Sequence, residues 1–125
     1  MKLQYVIVYV DDVAQATEFY WKAFDLETKF IDETQTYAEM DSGETTLSFS
    51  KYDMMLTHIG IEPHKGIKNC FELAFTTLDV QEAFEKAIAC GAKEQARPEV
   101  KPWGQIVAYV QDPYGTIVEI CTPMG

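Results

Sequence analysis

Cysteine is scarce in this chain and offers no pairing pattern. Cys70, Cys90 and Cys121 are odd in number, and none belongs to a CxxC. They lie in or beside expected core elements, so they read as reduced, buried thiols rather than a disulfide framework, and little supports a redox role. Long hydrophobic runs are also missing. Nothing approaches the roughly 20 apolar residues of a membrane helix, and strand-like sequence begins at once, so a cytoplasmic protein with no membrane partner is expected. Bases are few as well. Ten Lys and Arg against twenty Asp and Glu give a net charge of −10. That balance repels a phosphate backbone and argues against nucleic acid. It would favour a cationic ligand if the acids surround a cleft; a charge spread over the surface for solubility is the commoner explanation.

What is present is a regular alternation of periods. At 125 residues, 47% of them hydrophobic, the chain is the size of one domain with an ordinary core. "KLQYVIVYV" (2–10) alternates faces, with Leu3, Tyr5, Ile7 and Tyr9 on one and Val6, Val8 and Val10 on the other, as a strand does. Asp11 or Asp12 can cap the helix expected over 13–24, where Val13, Ala16, Phe19 and Tyr20 recur at helical spacing. Strand-like segments follow near 28–32, 35–40 and 45–50. A connector over 52–68 holds both histidines, His58 and His64, and is the one plausible linker.

Then the order returns. Residues 70–78 read as a strand, and Asp79 caps a helix over 80–91 that Gly91 can stop. Strand candidates run through 93–97, 105–111 and 116–121. Sliding the first half by 67 residues lays Asp12 on Asp79, Val13 on Val80, Ala16 on Ala83 and Glu18 on Glu85. With a one-turn adjustment, "DSGETTLSF" lies over "DPYGTIVEI". The repeat is weak by identity but clear in its order of elements, β-α-β-β-β twice. Asp112, Pro113 and Gly115 suit a type I turn joining the last two strands. If helices cover the Val118 and Ile120 face, Glu119 points to the other face of the sheet.

"YVIVYVDDVAQATEFYWKAFDLE" and "WGQIVAYVQDPYGTIVEI" resemble the vicinal oxygen chelate superfamily of glyoxalases, extradiol dioxygenases and bleomycin-resistance proteins, over nearly the whole chain. The resemblance implies an α+β fold: one domain over 1–125, with two βαβββ modules forming a curled mixed sheet, a cup, and helices on its outer face. Module one covers about 1–57, the connector about 52–68 and module two about 69–125. In metal-dependent members, side chains from the first and last strands of each module bind a divalent ion. Carried over, those positions fall on Tyr5, Leu47, Glu72 and Glu119. Histidine is the common residue at the first and third of them. Two carboxylates without an imidazole make a poor site for zinc, nickel or ferrous iron, so no cofactor is expected, although magnesium or manganese would be tolerated.

The same positions imply a ligand cup. Tyr5, Ile7, Tyr9, Leu47, Phe49 and Trp103 would line it, with Glu72 and Glu119 as its acids and as the catalytic candidates if there is chemistry. Solvated cleft carboxylates, paired with Arg97 or a lysine, account for the two glutamates equally plainly. Trp103 can stack on a flat or cationic ligand, or plug its own loop. Trp21 reads as helix–sheet packing or a dimer contact, and the histidines as solvated loop residues. The reading that follows is a small cytoplasmic protein of the bleomycin-resistance kind, binding a small cationic or aromatic molecule. The alternative is a metal-dependent glyoxalase-like lyase or isomerase using Glu119 as ligand or base. A homodimer is expected, because the apolar strand faces have no third layer to cover them.

Overall fold

The computed structural model describes residues 2–63 and 71–124. The chain divides into two compact units, Met1–Lys65 and Gly66–Gly125. Each carries the expected β-α-β-β-β order.

In the first unit, β1 (Tyr5–Val10) leads into α1 (Val13–Phe24), then β2 (Thr28–Ile31), β3 (Tyr37–Met40) and β4 (Thr46–Lys51). The Asp12 side chain accepts the Gln15 N–H at 2.9 Å, which satisfies a backbone donor that the first helical turn leaves over. The sheet order is β1-β4-β3-β2, with β1 and β4 parallel and the other pairs antiparallel. A parallel pair needs a long crossover, and here α1 with β2 and β3 supplies it. Alternation sends Val8, Val10, Ala38, Met40 and Phe49 into a core with Val13, Ala16, Phe19, Tyr20 and Ala23.

Two candidate lining residues change sides as a result. Phe49 is fully buried, with its ring centroid 4.9 Å from that of Tyr20 on α1. It therefore lies in the helix-side core rather than in a cavity lining. Leu47 shares its parity and is buried with it, 5% exposed. Trp21, read as helix–sheet packing or a dimer contact, is exposed on α1. The first part of the connector is also not a loop. It forms α2 (Tyr52–Ile59), which lies beside β4 and β1 and buries none of its residues. His58 sits exposed in its last turn, whereas His64 and Cys70 fall outside the described residues.

The second unit repeats the plan with β5 (Glu72–Thr76), α3 (Val80–Ala89), β6 (Lys93–Val100), β7 (Ile106–Gln111) and β8 (Ile117–Cys121), in the order β5-β8-β7-β6. Asp79 caps α3 by accepting the Glu82 N–H at 3.0 Å. Val80, Phe84 and Ala87 are buried with Ala108, Val110, Val118 and Ile120. The β7–β8 turn closes with the Gly115 N–H donating to the Asp112 carbonyl at 3.1 Å. Gly115 has φ of 90°, where a side chain would strain the backbone. Asp112 is 3% exposed, and one of its carboxylate oxygens accepts the N–H groups of Tyr114 and Thr116, each at 2.8 Å. Cys90 and Cys121 are free thiols. Among the described residues no helix is long and apolar enough to cross a membrane.

The position of Phe49 carries an expectation. Phe49→Ala should cost about 3–5 kcal/mol of stability, the usual loss for emptying a buried aromatic site. Denaturant unfolding with a lowered midpoint and an unchanged slope would register it. A change confined to ligand affinity would contradict the placement.

Candidate functional site

The second unit gathers its polar groups on the sheet face away from α3. β7 and β8 are antiparallel, and their register sets Tyr109 directly opposite Glu119. The Tyr109 hydroxyl donates to Glu119 Oε1 at 2.7 Å. On the other side of β8, parallel β5 pairs Ala74 with Glu119 and Glu72 with Ile117, so Glu72 is the diagonal neighbour of Glu119 on the same face. Cys121 follows two residues later on that face, with its thiol directed at the Phe75 carbonyl, 3.7 Å away.

The electrostatics follow from that proximity. Burial raises the Glu72 carboxyl above its ordinary range, and the charge of Glu119 raises it further. The hydrogen bond to Glu119 is the main cause that pushes Tyr109 up to about 12, reinforced by burial and by the charges of Glu119 and Glu72. The Cys121 thiol is raised by burial first, then by a hydrogen bond with Glu119 and by the two carboxylate charges. Glu119 contributes to all three upward shifts, as the first cause for Tyr109 and after burial for Glu72 and Cys121. Among the described residues neither Glu72 nor Glu119 makes an ion pair. Arg97, the base considered for them, is engaged by Glu94, with its Nε 3.1 and 3.2 Å from the two carboxylate oxygens.

The first unit has a counterpart face. Tyr5, Ile7 and Tyr9 alternate on β1, with Tyr5 and Ile7 exposed. Ser48 pairs with Ile7 as Glu119 pairs with Ala74, so Ser48 holds on β4 the position that Glu119 holds on β8. Leu47 is one residue out of register for that role. The Tyr37 hydroxyl on β3 donates to Glu39 Oε2 at 2.8 Å and lies 3.0 Å from Ser48 Oγ. Burial raises Tyr37; Ser48 counters it in part, while the bond to Glu39 and the charges of Glu39 and Tyr5 add to it. Tyr37, Glu39, Ser48 and Tyr109 are site residues that the strand pattern alone does not single out. The overlay of "DSGETTLSF" on "DPYGTIVEI" does set Ser48 on Glu119, and that was the signal available for one of them.

As a metal site the donor chemistry does not fit. Among the described residues no three His, Cys, Asp or Glu side chains converge as a metal-binding group. The second unit's face offers two carboxylates, one already bonded to a phenol, and a thiol that burial and its neighbours keep protonated. Among the described residues it has no imidazole, and Ser48, its counterpart in the first unit, is a neutral hydroxyl. Such a set lacks the nitrogen and thiolate donors that hold zinc or nickel tightly.

Both units thus show the paired βαβββ plan with the polar face of each sheet turned from its helix, and residues 3–125 match the family model of the Glyoxalase-like domain. The chain belongs to that family. It is 28% identical over 125 residues to the uncharacterized protein YraH of Bacillus subtilis (strain 168), covering 96% of this chain and 97% of the other. A glyoxalase-related enzyme from Fulvimarina pelagi superposes with a TM-score of 0.87 at 19% identity, over 100% of this chain and 93% of that one. A glyoxalase/bleomycin resistance protein/dioxygenase family enzyme from Burkholderia phytofirmans PsJN gives 0.83 at 21% identity, over 99% and 100% of the two chains. At such identities the two solved structures speak for the fold alone.

The raised Glu72 has a defined consequence for stability. A carboxyl whose folded value is raised stabilises the fold while protonated, below its unfolded value near 4.5, and loses that contribution as pH rises through the folded value. At neutral pH Glu72 therefore works against folding. Glu72→Gln should raise stability at pH 7, by less than about 1 kcal/mol because the group is solvent-screened. Denaturant midpoints should show the gain shrinking as the pH falls through the carboxylate range. A variant less stable than the parent at pH 7 would overturn this account.

Proposed function

We propose that the chain binds a small organic cation, with a planar aromatic body, on the Glu119 face, and holds no tightly bound transition metal. The observation that carries this reading is the pair Glu119 and Glu72, adjacent on one sheet face, without an ion-pair partner among the described residues. Tyr109 holds one oxygen of Glu119, and a carboxylate has acceptor capacity beyond that single bond for a guest. A cation beside the two carboxylates relieves the repulsion by Glu119 that adds to burial in raising Glu72. Trp103 keeps the role of a stacking contact in this reading.

N-methylacridinium, a permanently charged planar cation, is a suitable probe. Glu119→Gln should weaken its binding about tenfold, the order of a charge-assisted contact, with the fold intact by circular dichroism. Metal analysis of protein purified without chelators is the companion measurement. Stoichiometric zinc or nickel, or an unchanged affinity in the Glu119→Gln variant, would overturn the reading. Bound metal would favour instead a glyoxalase-like lyase or isomerase with Glu119 as ligand or base.

The reading extends to a homodimer in the cytoplasm. Leu3 just before β1, Tyr5 and Ile7 along it, and Phe71 and Leu78 flanking β5 are exposed apolar residues, and such surface is normally covered by a partner. Light scattering at micromolar concentration should return twice the 14.2 kDa chain mass, and a strictly monomeric mass would count against pairing.

A further inference from the structure

Trp103 is the second unit's exposed indole, 62% accessible, yet it does not hang free. It lies in a tight turn. The Gly104 N–H donates to the Lys101 carbonyl at 2.8 Å, and the Lys101 N–H donates to the Gln105 carbonyl at 2.8 Å. Within that turn the indole Nε1–H donates to Gln105 Oε1 at 2.9 Å. The Gln105 amide is anchored in turn, its Nε2 donating to the Thr122 carbonyl at 2.7 Å, just past the end of β8. Thr122 is tied to β7 by both its groups: its N–H donates to the Ile106 carbonyl at 3.0 Å, and its hydroxyl accepts the Ile106 N–H at 3.1 Å.

The amide thus has both ends committed, one to the strand frame and one to the indole. Gln105 lies one residue before β7, and continuing the alternation of that strand back to it gives its side. Gln105, Val107 and Tyr109 share one parity, and Tyr109 is the residue that bonds to Glu119. The amide that grips Trp103 therefore lies on the Glu119 side. Gln105 stands four positions before Tyr109, roughly 13 Å along the strand direction.

We infer that Gln105 is a positioning residue: it holds the Trp103 indole as a preformed stacking wall at the end of the Glu119 face. This rests on the binding reading above and names the part of the chain that recognises the guest's aromatic body, as Glu119 recognises its charge. An exposed tryptophan that swings freely must lose rotamer freedom when a ligand stacks on it. One already pinned loses less, and its contact with a cation is correspondingly more effective. Gln105 itself does not touch the guest.

Two variants isolate the pin. Gln105→Ala removes the acceptor, and Trp103→Phe keeps an aromatic ring but removes the donor while leaving the Gln105–Thr122 bond in place. Each should weaken N-methylacridinium about three- to fivefold, and the double variant should be no weaker than the worse single one. In a Trp21→Phe background, where Trp103 is the sole emitter, Gln105→Ala should also lower its fluorescence anisotropy without ligand. Additive losses in the double variant would overturn the inference. So would a lowered melting temperature in Gln105→Ala with anisotropy and affinity unchanged, since that marks a strand-end clamp only. Failure of the parent protein to bind the probe would instead remove the binding reading, and the wall's role with it. Binding that is sensitive to Glu119→Gln but indifferent to Gln105→Ala would remove this inference alone.

Discussion

The buried carboxylate of Asp112 sets the register on which the Glu119 face depends. By holding the Tyr114 and Thr116 N–H groups it fixes where β7 ends and β8 begins. The ladder then places Tyr109 against Glu119 and Val110 against Val118. Side chains alternate with a period of two, so a one-residue slip would drive Glu119 into the α3 core and turn Val118 to the open face. Burying an unpaired carboxylate is far more costly than any local gain from such a slip. The turn and the charge therefore enforce the same register, and the hydrogen bond to Tyr109 exists because both do.

The first unit solves the same problem with weaker chemistry. Where the second has Asp112, the equivalent turn uses Ser42, whose hydroxyl donates to the Thr45 carbonyl and accepts the Leu47 N–H. Where the second has Glu119, the first has Ser48, and its carboxylate stands one strand over, at Glu39 on β3. Each unit still pairs a tyrosine with a carboxylate on its open face. The first simply lacks an acid on the strand that carries Glu119 in the second.

Much of this was legible in the sequence, because strand alternation and helix caps are local signals. Asp12 and Asp79 cap the helices as read, the β-α-β-β-β order recurs, and Val118 and Ile120 are buried while Glu119 is not. The two misplaced side chains on β4 have one physical origin. β4 is buried along nearly its whole length, so hydropathy does not reveal which side chains face α1, and Leu47 and Phe49 were read onto the wrong face. Tyr109 and Glu39 escaped notice because their roles depend on cross-strand register, which no single segment encodes. α2 was hidden for a different reason. A short helix that buries none of its residues shows little of the apolar stripe by which helices are recognised.

If the Glu119 face takes a cation as proposed, the raised carboxyl of Glu72 makes that guest and the proton competitors for one place. In the pH range where Glu72 still keeps its proton, a cation settling beside it expels that proton, so occupancy and acidity are thermodynamically linked. Loading would acidify a weakly buffered solution slightly, and a more acidic surrounding would push the guest out. On that reading, a face assembled from two glutamates and a tyrosine would behave as an ion exchanger, trading one positive charge for another as the surrounding pH changes.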